Sequence, residues 1–387
     1  NWPKFIDVNS GKDTDKLLKM IDIINIRPAI AVQTLTDSVL DTIKRKNIGL
    51  EKFESFQKTV SKKTGVISST ELIMCLPGET IDSFIVTIKK VIDSSIKRIV
   101  IYTLMKLKGT PIDSIESVKK YKYDVRHRIV PGQFSMIDGE LVTDTEQVIV
   151  ATNTFSFDEY LDIRLLTLTI TIFITAAEFL PFKMLIEEGK FSTSEWLFAL
   201  HEKCIKDPRL DDLYESFISE TKDELFESRE LLFEFYSRKE NYKKLLDGEA
   251  GANLINKYHA QSLMSNFDTL LDVVSDNTME FIHEKKMVED VREYVGSRNI
   301  VERMKQDYKK LDYESVLQYD VPTWFESANQ KHLSEYCGNY KYKVYLNREV
   351  ASVFKKYFGI NKDVKMSRQI FFRDNTSHLY WDMWKAS

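Results

Sequence analysis

Three polar side chains stand where the surrounding apolar pattern gives no reason for them. Gln33 ends the run 29-AIAVQ-33, Glu71 lies two residues before Ile73 in 69-STELIMCLPGET-80, and Arg45 follows Gln33 by twelve residues. An amide both donates and accepts, a carboxylate accepts hydroxyl protons, and a guanidinium grips a carboxylate through two parallel N–H bonds. Each residue also has a plainer reading. Glu71 could be an inward acid paired with a lysine of a neighbouring strand, Arg45 an exposed helix cation, and Gln33 a helix cap.

The elements that must position these groups alternate. Strands are expected over 29–34, 66–74 and 98–105, with helices over 14–25, 38–46, 50–63 and 81–94. Asp37 is the expected N-cap of the second helix, Asn47 and Gly49 break it, and Pro77-Gly78 turns the chain out of the second strand. Thr34, Thr70 and Tyr102 are separated by 36 and then 32 residues, the length of one strand–helix unit. Strands so connected lie parallel with helices covering a face, and ligands meet their carboxyl ends. A short opening segment before residue 14 can end one more strand. Three or four such units do not close a barrel.

Beyond Thr110 the texture changes. Residues 125–130, 134–142 and 146–153 read as extended, with Asp138-Gly139 as a hairpin turn. From Ser156 onward the pattern is helical. Ser156 with Glu159, and Ser192 with Glu195, have the spacing of a capping box, and the first of these favours helix over strand for 165–177. Helices continue through 209–246 and 257–312, followed by a tail rich in Trp and Tyr.

With this frame in place, the stretches 32-VQTLTDSVLDTIKRKN-47, 70-TELIMCLPGET-80 and 101-IYTLMKLKGT-110 resemble the second half of the catalytic barrel of radical S-adenosylmethionine enzymes. The nearest style is that of oxygen-independent coproporphyrinogen dehydrogenases and of the class carrying a cobalamin-binding domain. The resemblance implies an α/β fold: the second half of a partial (β/α)6 TIM-like barrel over 1–115, a β connector over 116–154, and a mostly α-helical C-terminal domain over 155–387. By the same resemblance, Gln33 and Glu71 would hydrogen-bond the ribose of S-adenosylmethionine and Arg45 would hold its methionyl carboxylate. Main chain around Ile101 and Tyr102 would lie against adenine. Two positions depart from the family pattern, Cys75 where Gly is usual and Lys108 where Pro is usual. The stretch 124-DVRHRIVPGQF-134 through 168 resembles the connector and first helix after the core in cobalamin-domain members, which include methyltransferases and ring-forming enzymes.

The family needs a 4Fe–4S cluster held by a CxxxCxxC triplet, and Cys75, Cys204 and Cys337 have no such spacing. The expectation is therefore a carboxyl-terminal portion of a longer protein. By itself it would neither assemble the cluster nor cleave S-adenosylmethionine, and cobalamin would belong to the intact enzyme. Implied partners are a small-molecule substrate and an electron donor such as flavodoxin or ferredoxin. A net charge of −4, with lysines alternating with acids, gives no electrostatic reason to expect nucleic acid. The apolar stretch 165–177 is too short and too threonine-rich for a membrane span. Three scattered cysteines without a disulfide pattern fit a reducing cytoplasm. The competing reading, from a different class, is a non-catalytic binding or assembly domain with a degenerate barrel. A phosphate loop at Pro77-Gly78 finds no Gly-rich run or Lys-Ser/Thr pair to support it.

Overall fold

A computed structural model describes residues 6–9, 13–24, 26–29, 31–64, 69–94, 96, 98–176, 178–297, 313–327, 331–346 and 384–386. The end of the expected helical stretch 257–312, and most of the tail, lie outside these residues. The chain divides into two compact units, Asn1–Thr167 with Ile218–Ala252, and Leu168–Phe217 with Asn253–Ser387.

The first unit opens with β1 (Ile6–Asn9), α1 (Thr14–Ile21), β2 (Ile26–Ala29), α2 (Asp37–Thr42), α3 (Leu50–Thr64), β3 (Ser69–Met74), α4 (Ile81–Ile92) and β4 (Arg98–Thr103). β1 pairs with β2 and β3 with β4, both parallel, as the repeat length requires. A single parallel bridge between Gln33 and Leu72 joins the chain beyond β2 to β3. The architecture is mixed α/β and mostly helical, with small sheets, and no closed barrel forms among the described residues.

Helix α4 shows how the sequence builds this half. Thr80 and Ser83 cap its start reciprocally, and Phe84, Thr87, Ile88, Val91 and Ile92 recur at helical spacing on one buried stripe. Burying each large apolar side chain contributes about 1.5–3 kcal/mol relative to leaving it in water.

After β4 come α5 (Ile115–Tyr121) and the antiparallel hairpin of β5 (Asp124–Ile137) and β6 (Glu140–Ala151). Its turn residues Asp138 and Gly139 are both left-handed, at φ 52 and 85, which is the type I′ geometry that matches strand twist. Main-chain bonds from Lys106 to Gln147 and from Ile149 to Leu104 continue the end of β4 into β6.

The helices that follow are α6 (Phe157–Ile170), α7 (Leu180–Glu188), α8 (Thr193–Lys206), α9 (Asp211–Asp223), α10 (Arg229–Ser237), α11 (Lys239–Leu246), α12 (Leu254–Ser265), α13 (Phe267–Met279) and α14 (Lys285–Gly296). Both expected capping boxes place a serine hydroxyl on the amide three residues ahead, at Glu159 and Glu195. The ambiguous stretch is helical as far as Thr175, α6 running directly into a π-helical turn at Thr171–Thr175; Ala176 is extended and residue 177 lies outside the described residues. Within the first unit, Phe226 exchanges two main-chain hydrogen bonds with His127 of β5. Leu232, Tyr236 and Leu245 close a small core over Ile129 and Leu141.

The second unit holds more sheet than the sequence pattern suggested. β7 (Tyr313–Tyr319), α15 (Val321–Glu326), β8 (Cys337–Leu346) and β9 (Trp384–Ala386) complete the chain, and the three strands form an antiparallel sheet in the order β7-β8-β9. Asp290 on α14, 1% exposed, anchors this sheet: its carboxylate accepts the amides of Gln318 and Tyr319 at 2.8 and 2.9 Å, and Lys286 at 2.7 Å. Buried Trp196 donates its indole N–H to Thr278, while Asn277 donates to the Trp196 carbonyl. Among the described residues no single helix is long and apolar enough to cross a membrane. A pair bent by 80°, Phe157–Thr175 with Leu180–Glu188, passes on length and composition. Its apolar side chains, Ile163, Leu168, Phe173, Phe182 and Ile186 among them, are buried in the protein.

Candidate cofactor site

The register of β3 on β4 fixes two faces. Thr70, Leu72 and Met74 of β3, with Ile99, Ile101 and Thr103 of β4, are buried. Glu71 and Ile73, with Val100 and Tyr102, alternate onto the opposite face, where Tyr102 is 50% exposed. Glu71, opposite Val100, thus shares the open face with Tyr102, which stands opposite Ile73 two pairs further along the ladder. The side chain of Ile101 points into the core, so only its main chain is available to a ligand on the open face.

Gln33 is joined to this strand by main chain alone. Its amide donates to the Glu71 carbonyl at 2.8 Å, and its carbonyl accepts from Ile73 at 2.9 Å. Gln33 also adopts a left-handed backbone, φ 66, and so does Cys75 at the end of β3, φ 64. A non-glycine residue in that region costs about 1–2 kcal/mol. Two such residues at the carboxyl ends of neighbouring parallel elements are the kind of stored strain that clusters at functional sites.

Neither polar side chain has been absorbed by the fold. Glu71 and Gln33 are half-buried, and among the described residues neither the carboxylate nor the amide makes a hydrogen bond or ion pair. Among the described residues no lysine pairs with Glu71, and the N-cap of α2 is Thr36 rather than Gln33. Partial burial, and then the charge of Glu71, push the Tyr102 phenol above its ordinary value, against a weaker pull from Arg98. The phenol therefore stays protonated at neutral pH and can donate. A carboxylate acceptor, an amide and a phenol donor on one open face suit a ligand bearing hydroxyls and a flat ring.

Arg45 is placed differently from the expectation. Helix α2 stops at Thr42 because Lys44 turns left-handed, φ 54, and the amides of Lys44 and Arg45 close back onto Asp41 and Leu40. That is a Schellman termination without glycine. Arg45 therefore stands exposed on the turn beyond the helix, and no contact among the described residues ties its guanidinium to Gln33 or Glu71. Asn47, expected only as a breaker, reaches back instead and donates to the Thr34 carbonyl at 2.5 Å.

Glu79, inside the stretch 69-STELIMCLPGET-80 but given no role by the sequence pattern, is fully buried. Its Oε1 accepts from Thr36 at 2.8 Å and from Ser83, while Oε2 has no partner. The available signal was a carboxylate directly before a capped helix start, in a turn whose other residues are apolar.

The cysteines do not fit an iron–sulfur cluster. Cys75 belongs to the first unit, Cys204 and Cys337 to the second, and all three are free. Burial pushes the Cys75 thiol far up and that of Cys204 to about 12, opposite to the direction a metal-binding thiolate needs. No group of three His, Cys, Asp or Glu side chains could hold a metal ion among the described residues.

No protein-family profile matches the chain. Over 169 residues, 41% of the chain, it is 28% identical to 2-(S-pantetheinyl)-carbapenam-3-carboxylate methyltransferase of Streptantibioticus cattleyicolor. The matched region spans 24% of that protein's length.

Proposed function

We propose that this chain contributes an S-adenosylmethionine-binding face to a methyltransferase of the radical S-adenosylmethionine type. The observation that carries the reading is the open face at β3 and β4. There the unpaired Glu71 carboxylate and the Tyr102 phenol lie beside a Gln33 whose main chain is locked to the same strand. In the Gln33–Glu71–Tyr102 arrangement the carboxylate and amide take the ribose hydroxyls, and the main chain at Ile101 and Tyr102 borders the adenine. Arg45 meets the methionyl carboxylate from its exposed turn. The name of the similar protein supports methyl transfer over the other outcomes found in the class.

When bound, S-adenosylmethionine supplies an activated methyl or adenosyl group. The residues of this chain bind and orient it. Among the described residues the cysteines do not fit an iron–sulfur cluster, so the part taken by these residues is binding and orientation.

Titration calorimetry with S-adenosylmethionine and S-adenosylhomocysteine tests the reading. A charge-assisted hydrogen bond contributes about 1.5–3 kcal/mol, so Glu71→Ala weakens binding by about 10- to 100-fold. An exposed guanidinium contributes roughly 0.2–1 kcal/mol, so Arg45→Ala costs about fivefold at most, and unchanged affinity removes Arg45 from the site. Failure of the native chain to bind either ligand favours the non-catalytic reading, to which the exposure of Arg45 is the observation that points.

A further inference from the structure

Gln33 holds an unfavourable left-handed backbone at its bridge to β3, and such a conformation persists only where the surroundings over-determine it. On one side it is fixed by the two main-chain bonds to β3. On the other side, four bonds converge on the three residues that follow. Thr34 Oγ1 accepts the Thr36 amide at 3.1 Å, and Thr87 Oγ1 of α4 accepts the Leu35 amide at 3.2 Å. Asn47 donates to the Thr34 carbonyl, and the Thr36 hydroxyl donates to Glu79 Oε1 at 2.8 Å. Only the last runs to a carboxyl group, and its acceptor is buried, Glu79 being 0% exposed.

Glu79 is itself held through its amide, its carbonyl and its carboxyl group. Its amide donates to the Leu76 carbonyl at 3.0 Å, its carbonyl accepts the Thr154 hydroxyl at 2.7 Å, and Ser83 donates to the same carboxylate oxygen as Thr36. Two features indicate that this carboxylate is kept for more than packing. Oε2 is buried with no hydrogen-bond partner, which is costly for an ionisable group. Thr36 is the N-cap of α2 yet makes no capping bond, its hydroxyl being turned to Glu79 instead.

We infer that Glu79 is a positioning residue. Through Thr36 it clamps the 33–36 turn against the start of α4 and so sets where Gln33 is presented beside Glu71. That this placement matters to a ligand rests on the adenosyl site proposed above.

Hydrogen–deuterium exchange of the whole chain, read alongside S-adenosylhomocysteine titration, decides the matter. Thr36→Val removes the donor at nearly constant volume, Glu79→Ala removes the acceptor, and Glu79→Gln keeps an acceptor oxygen in place. The expected result is exchange at Gln33–Thr36 about tenfold faster in Thr36→Val and Glu79→Ala, with affinity reduced about tenfold. Glu79→Gln should stay within about threefold of native in both. The β5–β6 hairpin is the internal reference, since a merely structural role for Glu79 would speed its exchange equally. Exchange at 33–36 within about twofold of native in the first two variants, or an equal rise in the hairpin, overturns the proposal. Should Glu79→Ala not fold, Thr36→Val decides alone. If the native chain does not bind S-adenosylhomocysteine, the adenosyl reading falls while the exchange ratio still rules on Glu79.

Discussion

Cys75 offers a quantitative test of the strained strand end. Its side chain is 0% exposed, and its backbone is left-handed at φ 64. At an ordinary buried position, replacing Ala by Gly costs about 0.5–1 kcal/mol in chain freedom and about 0.8 kcal/mol in lost burial of the methyl group. The sum is roughly 1.3–1.8 kcal/mol. At a left-handed position glycine recovers about 1–2 kcal/mol that any L side chain forfeits. Cys75→Gly and Cys75→Ala, which lose the same thiol, should therefore agree in stability to within about 0.8 kcal/mol. Cys75→Val, β-branched, should be less stable than either by 2 kcal/mol or more, an order-of-magnitude expectation for a branched side chain held at positive φ. Burial, followed by the charge of Glu159, keeps the native thiol protonated at pH 7, so no thiolate complicates the comparison. Urea unfolding followed by circular dichroism, with equal slopes across the variants, supplies the numbers. A glycine variant less stable than the alanine variant by the full 1.3–1.8 kcal/mol or so would show that no backbone strain is stored there.

Two further outcomes follow from buried groups in the second unit. Burial pushes His201 from its ordinary 6.5 down to about 4, against a small opposing pull from Glu202. Between those values the unfolded chain binds a proton that the folded chain does not. Stability is thus complete above pH 6.5 or so and falls by up to about 3 kcal/mol as the pH approaches 4. His201→Gln should flatten that part of the stability–pH curve, and an unchanged slope would refute the assignment. Asp290→Ala leaves two main-chain amides and Lys286 without their acceptor. It should cost about 2–4 kcal/mol in urea unfolding and speed exchange in β7, with Asn at that position costing less; a loss under about 1 kcal/mol would contradict the anchoring role.

What the sequence revealed was local and periodic. The repeat between Thr70 and Tyr102 led correctly to the parallel pairing of β3 and β4, because that length leaves room only for a crossover helix, whereas the strand expected over 29–34 is replaced by β2 at Ile26–Ala29 and one parallel bridge at Gln33. Capping serines and the Asp138-Gly139 turn were legible because each acts within three residues. The failures share a cause, in that distant partners overrode local preference. Asp37 was expected as the N-cap of α2, but Thr36 occupies that position and its hydroxyl answers to Glu79, forty-three residues away. α2 ends four residues early through a left-handed lysine, which no propensity scale anticipates, and this carries Arg45 off the helix. The sheet in the second unit was missed even though 340-YKYKVY-345 alternates, because its pairing with 313–319 spans a separation that pattern cannot bridge. Gln33 and Glu71 stood out by residue type and spacing, and Tyr102 through the resemblance alone, so their shared face on β3 and β4 is a feature of the fold that the string does not display. Glu79 was missed, since burial is invisible in a one-dimensional string.

The proposed function stands or falls with an adenosyl ligand on the open face of β3 and β4. The most direct test is an amide-resolved NMR titration of the isotopically labelled chain with S-adenosylhomocysteine. Saturable shifts concentrated at Gln33, Glu71, Ile73, Ile101 and Tyr102, and lost in Glu71→Ala, are the predicted result. Shifts confined to other elements, or none at ligand concentrations up to a millimolar or so, well above ordinary cofactor affinities, would contradict it.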